Sequence, residues 1–472
     1  MAGNGFNAPK FDDELSFAKA FLRPTLGNWR EEAQRALHGQ ELASLTSSTH
    51  EGLDIKPLYT EVDLPTLSAR LPCRRGRTWE TCCSLDLRDP DGALNEATSA
   101  VIQGATAFWV SVDRRSASWA KLTIGVLAEL LEATAGAPIY LDGRGITPSL
   151  AAVFMAAARR RGAAFETLRG SFDYDPLGTL AGDGNLPWTL ESSFDLMADM
   201  VRWCSKMAPM MRAVSVSTLP YVKAGATSVQ ELGFALSTWA EYLRRLEKTG
   251  TSPDVSFRHV RIVLPVGRDL FMEIAKLRAA RILWNRMAAS CGVGENGRYL
   301  PIHAVGSPRC LTTRDPWVNL IRGTEQCYAA VVGGADVTTV LPFDSALGHP
   351  DDLGRRTAIN TNNILREECH LDQVTDPTAG SYFVEKLTHD LAVEAWQYFQ
   401  RIEMAGGMVN HLRSGAVVRD LGESLHFKQR AIATREDAVT GVSTYPNLDE
   451  QTPPRKGALD GRRQPDDEAT GI

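Results

Sequence analysis

The chain has 472 residues, 43% of them hydrophobic and 23% charged, enough for one large domain with extensions or for two or three smaller ones. A net charge of −6 gives no basic field for nucleic acid or an anionic membrane. The N-terminus has no apolar signal core, and no run is long enough to span a bilayer. Eight cysteines without a repeating spacing read as reduced core thiols of a cytoplasmic protein.

Along the chain, "TLGNWREEAQRALHG" opens as a capped helix, with Asn28 three residues ahead of Glu31. About 75 residues then pass before the first strand. From there a rhythm sets in. Strands are predicted at 78–86, 106–113, 138–143, 165–173, 214–218, 259–267, 301–307 and 336–344, each followed by a helical segment. Eight strand–helix units in succession favour a closed (β/α)8 TIM barrel over an open sheet. The fold class expected is thus α/β, a barrel with an N-terminal helical extension and C-terminal helices. The boundaries are 1–75 for the extension, 76–385 for the barrel, 386–447 for the helices and 448–472 for a polar, flexible tail.

Strand alternation places Cys82, Ser84 and Asp86 of the first strand on one face, and Ser215 and Ser217 of the fifth. Barrels usually fill their axis with bulky aliphatic side chains, so small polar residues there leave room for a threading ligand. The alternative turns the same residues outward toward the helices.

Familiar catalytic patterns are scarce. "GVGENG" (292–297) matches a dinucleotide fingerprint but has a helix before it and a strand after it, the reverse of what phosphate binding needs. No two of the nine histidines have metal-ligand spacing, and His303, inside the seventh strand, reads as a buried, hydrogen-bonded core residue. Asp86, Asp89, Asp113, Asp142 and Asp344 stand near strand C-termini, where capping the next helix is the simpler role. On the helix 268–287, Arg278 and Arg281 lie within an apolar stripe. They therefore require partners, from a neighbouring helix or from another subunit.

Here a resemblance enters. "FMEIAKLRAARILW" (271–284), "KPLYTEVDLP" (56–65), "AGAT" (224–227), "TAINTNNILREE" (357–368) and "DPTAGSYFVEKLT" (376–388) resemble, in order, segments of the methylmalonyl-CoA mutase family. The resemblance implies a barrel through which acyl-CoA threads, with adenosylcobalamin brought to its mouth by a further domain. In catalytic members the fifth strand ends in a motif close to S-G-Y-H-M-Q-E-A-G-A. Its histidine bonds the thioester carbonyl, and its tyrosine shields the radicals.

Aligned through Ala224-Gly225-Ala226, the histidine position holds Pro220, the tyrosine position Leu219 and the glutamate position Lys223. Proline donates no hydrogen bond. The glutamate that holds the adenosyl ribose after the eighth strand falls near Leu347, and the cobalamin signature D-x-H-x-x-G does not occur.

The resemblance therefore points to the smaller, non-catalytic chain of a heterodimeric mutase. No catalytic residue and no bound cofactor are expected in this chain, and adenosylcobalamin is expected in the larger partner. The N-terminal extension and the arginine-bearing helix are candidate contacts to that partner. Tyr221, Lys223, Ser215 and Ser217 remain candidates for contact with an acyl-CoA. The alternatives are the barrel chain of a split acyl-CoA mutase paired with a separate cobalamin-binding protein, and an acyl-CoA-binding regulatory protein.

Overall fold

The computed structural model describes residues 24–65, 73–112 and 121–450. Two compact units divide at Tyr59/Thr60. The first contains helix α1 (Leu26–Ala36) and a short antiparallel ribbon pairing Ser47–Ser48 with Asp54–Ile55. The cap of α1 is Thr25 rather than Asn28. The Thr25 hydroxyl accepts the Asn28 N–H at 3.2 Å, and the Asn28 side chain accepts the Thr25 N–H at 2.9 Å. Asn28 is thus the third helical residue of a reciprocal capping box.

The second unit holds the barrel. Its elements run β1 (Glu80–Asp86), α2 (Pro90–Ile102), β2 (Ala107–Ser111), α3 (Ile124–Ala133), β3 (Ile139–Asp142), α4 (Thr147–Arg160), β4 (Gly170–Tyr174), α5 (Pro176–Asp183) and α6 (Leu190–Met207). They continue with β5 (Met211–Ser217), α7 (Leu219–Lys223), α8 (Ser228–Lys248), α9 (Pro253–Arg258), β6 (Val260–Val266), α10 (Leu270–Ser290), β7 (Ile302–Gly306), α11 (Val318–Val332), β8 (Val337–Thr339) and α12 (Asp352–Asn363). Helices α13 (Tyr382–Met404), α14 (Gly407–Arg413) and α15 (Ala416–Ala433) follow.

All eight strands are parallel. The ring closes where β8 pairs with β1, Val337 beside Glu80 and Thr338 beside Thr81. Every residue of β6, "VRIVLPV", is buried, as befits a strand covered on both faces. Two predicted strands are shorter than expected. β4 begins only at Gly170, because Phe165–Thr167 forms a 3₁₀ turn. Gly170 has φ 133°, and a Cβ there would lie 1.8 Å from the Ile139 carbonyl oxygen, so the crossing admits only glycine. β8 is three residues long.

Most of α10 is buried, packed between barrel and outer helices, so its charged residues are satisfied within the chain. Arg278 bonds the Asp376 carboxylate, the Thr378 hydroxyl and, at 2.7 Å, Glu385. Arg281 bonds the Leu300 and Gly334 carbonyls and, at 2.9 Å, Asp336. The partners of Arg278 and Arg281, at 5% and 3% exposure, thus come from neighbouring segments of the same chain, one of the two sources the sequence left open.

Candidate functional site at the barrel axis and its C-terminal mouth

Strand register settles which side chains face the lumen. Cys82, Ser84 and Asp86 sit level with Ala107, Trp109 and Ser111, and these with Tyr140 and Asp142. Ser215 and Ser217 sit level with Arg261 and Val263, and Val263 with His303. The small polar residues do point inward. They share that face, however, with large ones that meet across the axis.

Tyr140 on β3 and His303 on β7 stand four strands apart in a ring of eight, diametrically opposed, and their ring centroids are 5.8 Å apart. Trp109 on β2 meets the edge of the same imidazole at 5.4 Å. The Arg261 guanidinium lies 3.8 Å over the Tyr140 ring and donates from Nε to Asp173 at 2.7 Å. The Tyr140 hydroxyl donates to Glu80 at 2.6 Å, and His303 Nε2 bonds the Thr339 hydroxyl at 2.8 Å. This layer is a polar and aromatic plug. The lumen is therefore occupied at this level, which corrects the expectation of a channel running its length. Ser84, in the middle of β1 and in register with Trp109, is exposed.

Burial controls the plug's charges. His303 is held well below the ordinary imidazole range by burial and then by Arg261, so it is neutral. Burial raises Glu80, against the Tyr140 hydroxyl that favours its anion. Asp173 takes φ 45°, a left-handed conformation uncommon for aspartate, where its carboxylate grips Arg261 with both oxygens.

At the C-terminal mouth, Leu219–Lys223 forms the one-turn helix α7. Pro220 suits its opening turn, where a backbone N–H would lack a helical partner. Its ring packs beside Gly182 of α5, whose added Cβ would stand 3.4 Å from Pro220 Cγ. Leu219 is half-buried at the first helical position.

Tyr221, 2% exposed, points toward α8 and stacks on Phe234 at 4.8 Å. Burial pushes its phenol far up, with Asp175 adding. Lys223 is exposed, with its ammonium lowered by partial desolvation and then by Arg144. Ser215 is buried against the plug, and the Ser217 N–H donates to Asp175 at 2.8 Å. Asp175, pushed up to about 6 by burial, also accepts from the Tyr242 hydroxyl and the Gly178 N–H.

The strand-end carboxylates serve local structure. Asp86 accepts from Arg88, Asp142 from the Arg144 N–H, and Asp344 from the Asp351 N–H, while Asp89 is the N-cap residue of α2. Asp113 lies outside the described residues. After β8, Leu347 sits in the 3₁₀ turn Ser345–Leu347. Pro220, at the end of β5, can donate no hydrogen bond, and Leu347, after β8, carries no carboxylate. Among the described residues, no cluster of His, Cys, Asp or Glu could hold a metal ion, and no helix is long and apolar enough to cross a membrane.

Sequence reasoning missed Glu80, Tyr140, Asp173 and Arg261 as lumen residues. A signal was available for Glu80 alone, which shares the parity of Cys82 and Ser84; the faces of β3, β4 and β6 follow only from the register between strands.

The shared motifs, by contrast, are joints of the fold. Asn362 Oδ1 accepts from the Trp79 indole at 3.0 Å and from Thr338 Oγ1 at 2.5 Å. Asp376 and Glu385 hold Arg278. Gly225 and Ala226 seat α15, the Ala226 carbonyl accepting from Lys428 at 2.7 Å.

Comparison with known proteins agrees with these joints. A family model described as methylmalonyl-CoA mutase matches residues 138–466. A methylmalonyl-CoA mutase small subunit of Streptomyces virginiae is 36% identical over 95% of this chain and 74% of its own length. The small subunit of Propionibacterium freudenreichii subsp. shermanii is 32% identical over 94% and 73%. A methylmalonyl-CoA mutase of Cereibacter sphaeroides is 30% identical over 89% of this chain and 64% of that protein. A barrel of this topology, pinned by these motifs and matched over most of its length, belongs to the methylmalonyl-CoA mutase family.

Proposed function

We propose that this chain is the non-catalytic small subunit of a heterodimeric, adenosylcobalamin-dependent methylmalonyl-CoA mutase. It supports a catalytic large subunit that interconverts methylmalonyl-CoA and succinyl-CoA in the cytoplasm. The single observation that carries the reading is the contact of Tyr140 with His303 across the barrel axis. A pantetheine arm cannot share the axis with two rings 5.8 Å apart and a guanidinium stacked on one of them. Pro220 supports the same reading, since no hydrogen bond to a thioester carbonyl can come from its side chain or its nitrogen. The small-subunit names of the relatives from Streptomyces virginiae and Propionibacterium freudenreichii support a large subunit as the partner. Adenosylcobalamin and the acyl-CoA belong, in this reading, to the large subunit.

The test is affinity capture with the tagged full chain from its native cytoplasm, followed by mass identification and a mutase assay. A larger partner carrying both the thioester-binding histidine and D-x-H-x-x-G, and activity only in the complex, is the expected result. A small cobalamin-binding protein as sole partner, with mutase activity from that pair, would overturn it in favour of the split enzyme.

A further inference from the structure

Past α15 the chain turns back to the C-terminal rim of the barrel and closes a loop on one residue. Arg268, after β6, pairs with Asp437 at 2.9 Å, and Arg322 of α11 donates to the Thr440 carbonyl at 2.6 Å. Val439, 7% exposed, seats the stem, and its carbonyl accepts the N–H groups of Val442, Ser443 and Thr444. The loop 441–450 then begins and ends at Asp315. A Cβ added at Gly441 would stand 3.1 Å from Asp315 Cβ, and the Glu450 carboxylate accepts the Asp315 N–H at 2.6 Å. Compact surface loops whose ends meet in this way frequently carry function.

Within the loop stand Tyr445 and Leu448, 85% and 89% exposed, the most exposed large apolar side chains of the described residues. Two residues beyond Asp315, Trp317 caps α11 with helical φ and ψ, and Ile321 follows one turn later on the same face. These two are 49% and 71% exposed. The Trp317 ring is stacked on Phe343 at 4.9 Å and so is held in place. Apolar side chains scattered singly over a surface need no explanation, but these four are tied to one residue.

We propose that the loop 441–450 and the opening turn of α11 form the docking face for the large subunit, which presents an apolar recess to Tyr445 and Leu448. The inference rests on the subunit reading above. A large aromatic side chain carries roughly 150–250 Å², so at these exposures the four side chains present on the order of 600 Å². Patches of that size mark interaction sites, and a standard interface takes about 800 Å² from each partner. Exposed Thr313, Arg314 and Asp449 give the patch the polar rim such interfaces have. The continuation of the loop, 451–472, has only Leu459 and Ile472 as large apolar residues, too few to cover the patch from within the same segment.

The affinity of the tagged full chain for the large subunit, measured by biolayer interferometry, tests the face. The double variant Tyr445→Ser, Leu448→Ser and the single variant Ile321→Ser should each weaken binding at least tenfold and leave the melting temperature unchanged. Ile102→Ser, at an 83% exposed position that ends α2, should keep the parental affinity. Parental affinity in both patch variants would overturn this face and leave the subunit reading intact. A parent chain that binds no large subunit would overturn the reading and the face together. A dimer of this chain alone, seen by light scattering and dissolved by both patch variants, would assign the face to a second copy and overturn the large subunit as its occupant.

Discussion

At the scale of single residues, Glu325 on α11 titrates where proteins work. Its carboxyl is pushed up to about 7 by burial and then by Glu273 and Asp269, which face it from α10 and the residues before it. A raised carboxyl keeps its proton in the folded chain after the unfolded chain has lost its own. Stability therefore falls as pH rises from about 4.5 to about 7 and is level above that. Glu325→Gln is expected to be more stable than the parent by about 2 kcal/mol at pH 8 and nearly equal at pH 5. Urea midpoints at the two pH values measure this, and an equal offset at both would assign the change to packing instead. In the plug, Asp173→Asn leaves the Arg261 charge buried without its counter-ion. Loss of one member of such a pair costs about 3–5 kcal/mol. The denaturation midpoint should drop accordingly, and an unchanged midpoint would show that the pair contributes nothing.

At the scale of elements, the joint between α7 and α15 rests on one glycine. Gly225 has φ 103°, and a Cβ there would lie 2.8 Å from Leu425 Cβ. Gly225→Ala should therefore destabilise the chain by about 1–3 kcal/mol through strain and overpacking. Amide exchange in Ala416–Ala433 should rise more than in β6. Uniform exchange across both elements would place the damage in the whole barrel. The elements also show what a sequence can disclose. Strands such as "VRIVLPV" and helices such as "FMEIAKLRAARILW" announce themselves because alternation and helical period are local properties. The shortness of β4 and β8 was not legible, for strand ends depend on which neighbour supplies hydrogen bonds. The partners of Arg278 were half legible: burial demanded carboxylates, but Asp376 and Glu385 lie 98 and 107 residues away in the chain.

At the scale of the whole molecule, eight βα units could be counted from sequence, yet the filling of their axis could not. Whether a lumen is open depends on the sum of side chains converging from strands far apart, and one small serine per strand says little about that sum. Trp109, Tyr140, Arg261 and His303 stand within predicted strands, but nothing local says which face each presents. Only closure of the ring brings them face to face. That closure has a consequence for how the barrel comes apart. Its first half, β1 to β4, contributes Glu80, Tyr140 and Asp173, and its second half contributes Arg261 and His303. Split between β4 and β5, the first half would bury a carboxylate without its cation, and the second a guanidinium without its carboxylate. Neither half-barrel is then a comfortable resting place. The barrel should melt in one step, with hydrogen-exchange protection in β3 and β7 lost together, where an open-lumen barrel of the same topology would be free to unzip by halves. A plug that closes the axis to ligands thus also binds the two halves into one cooperative unit.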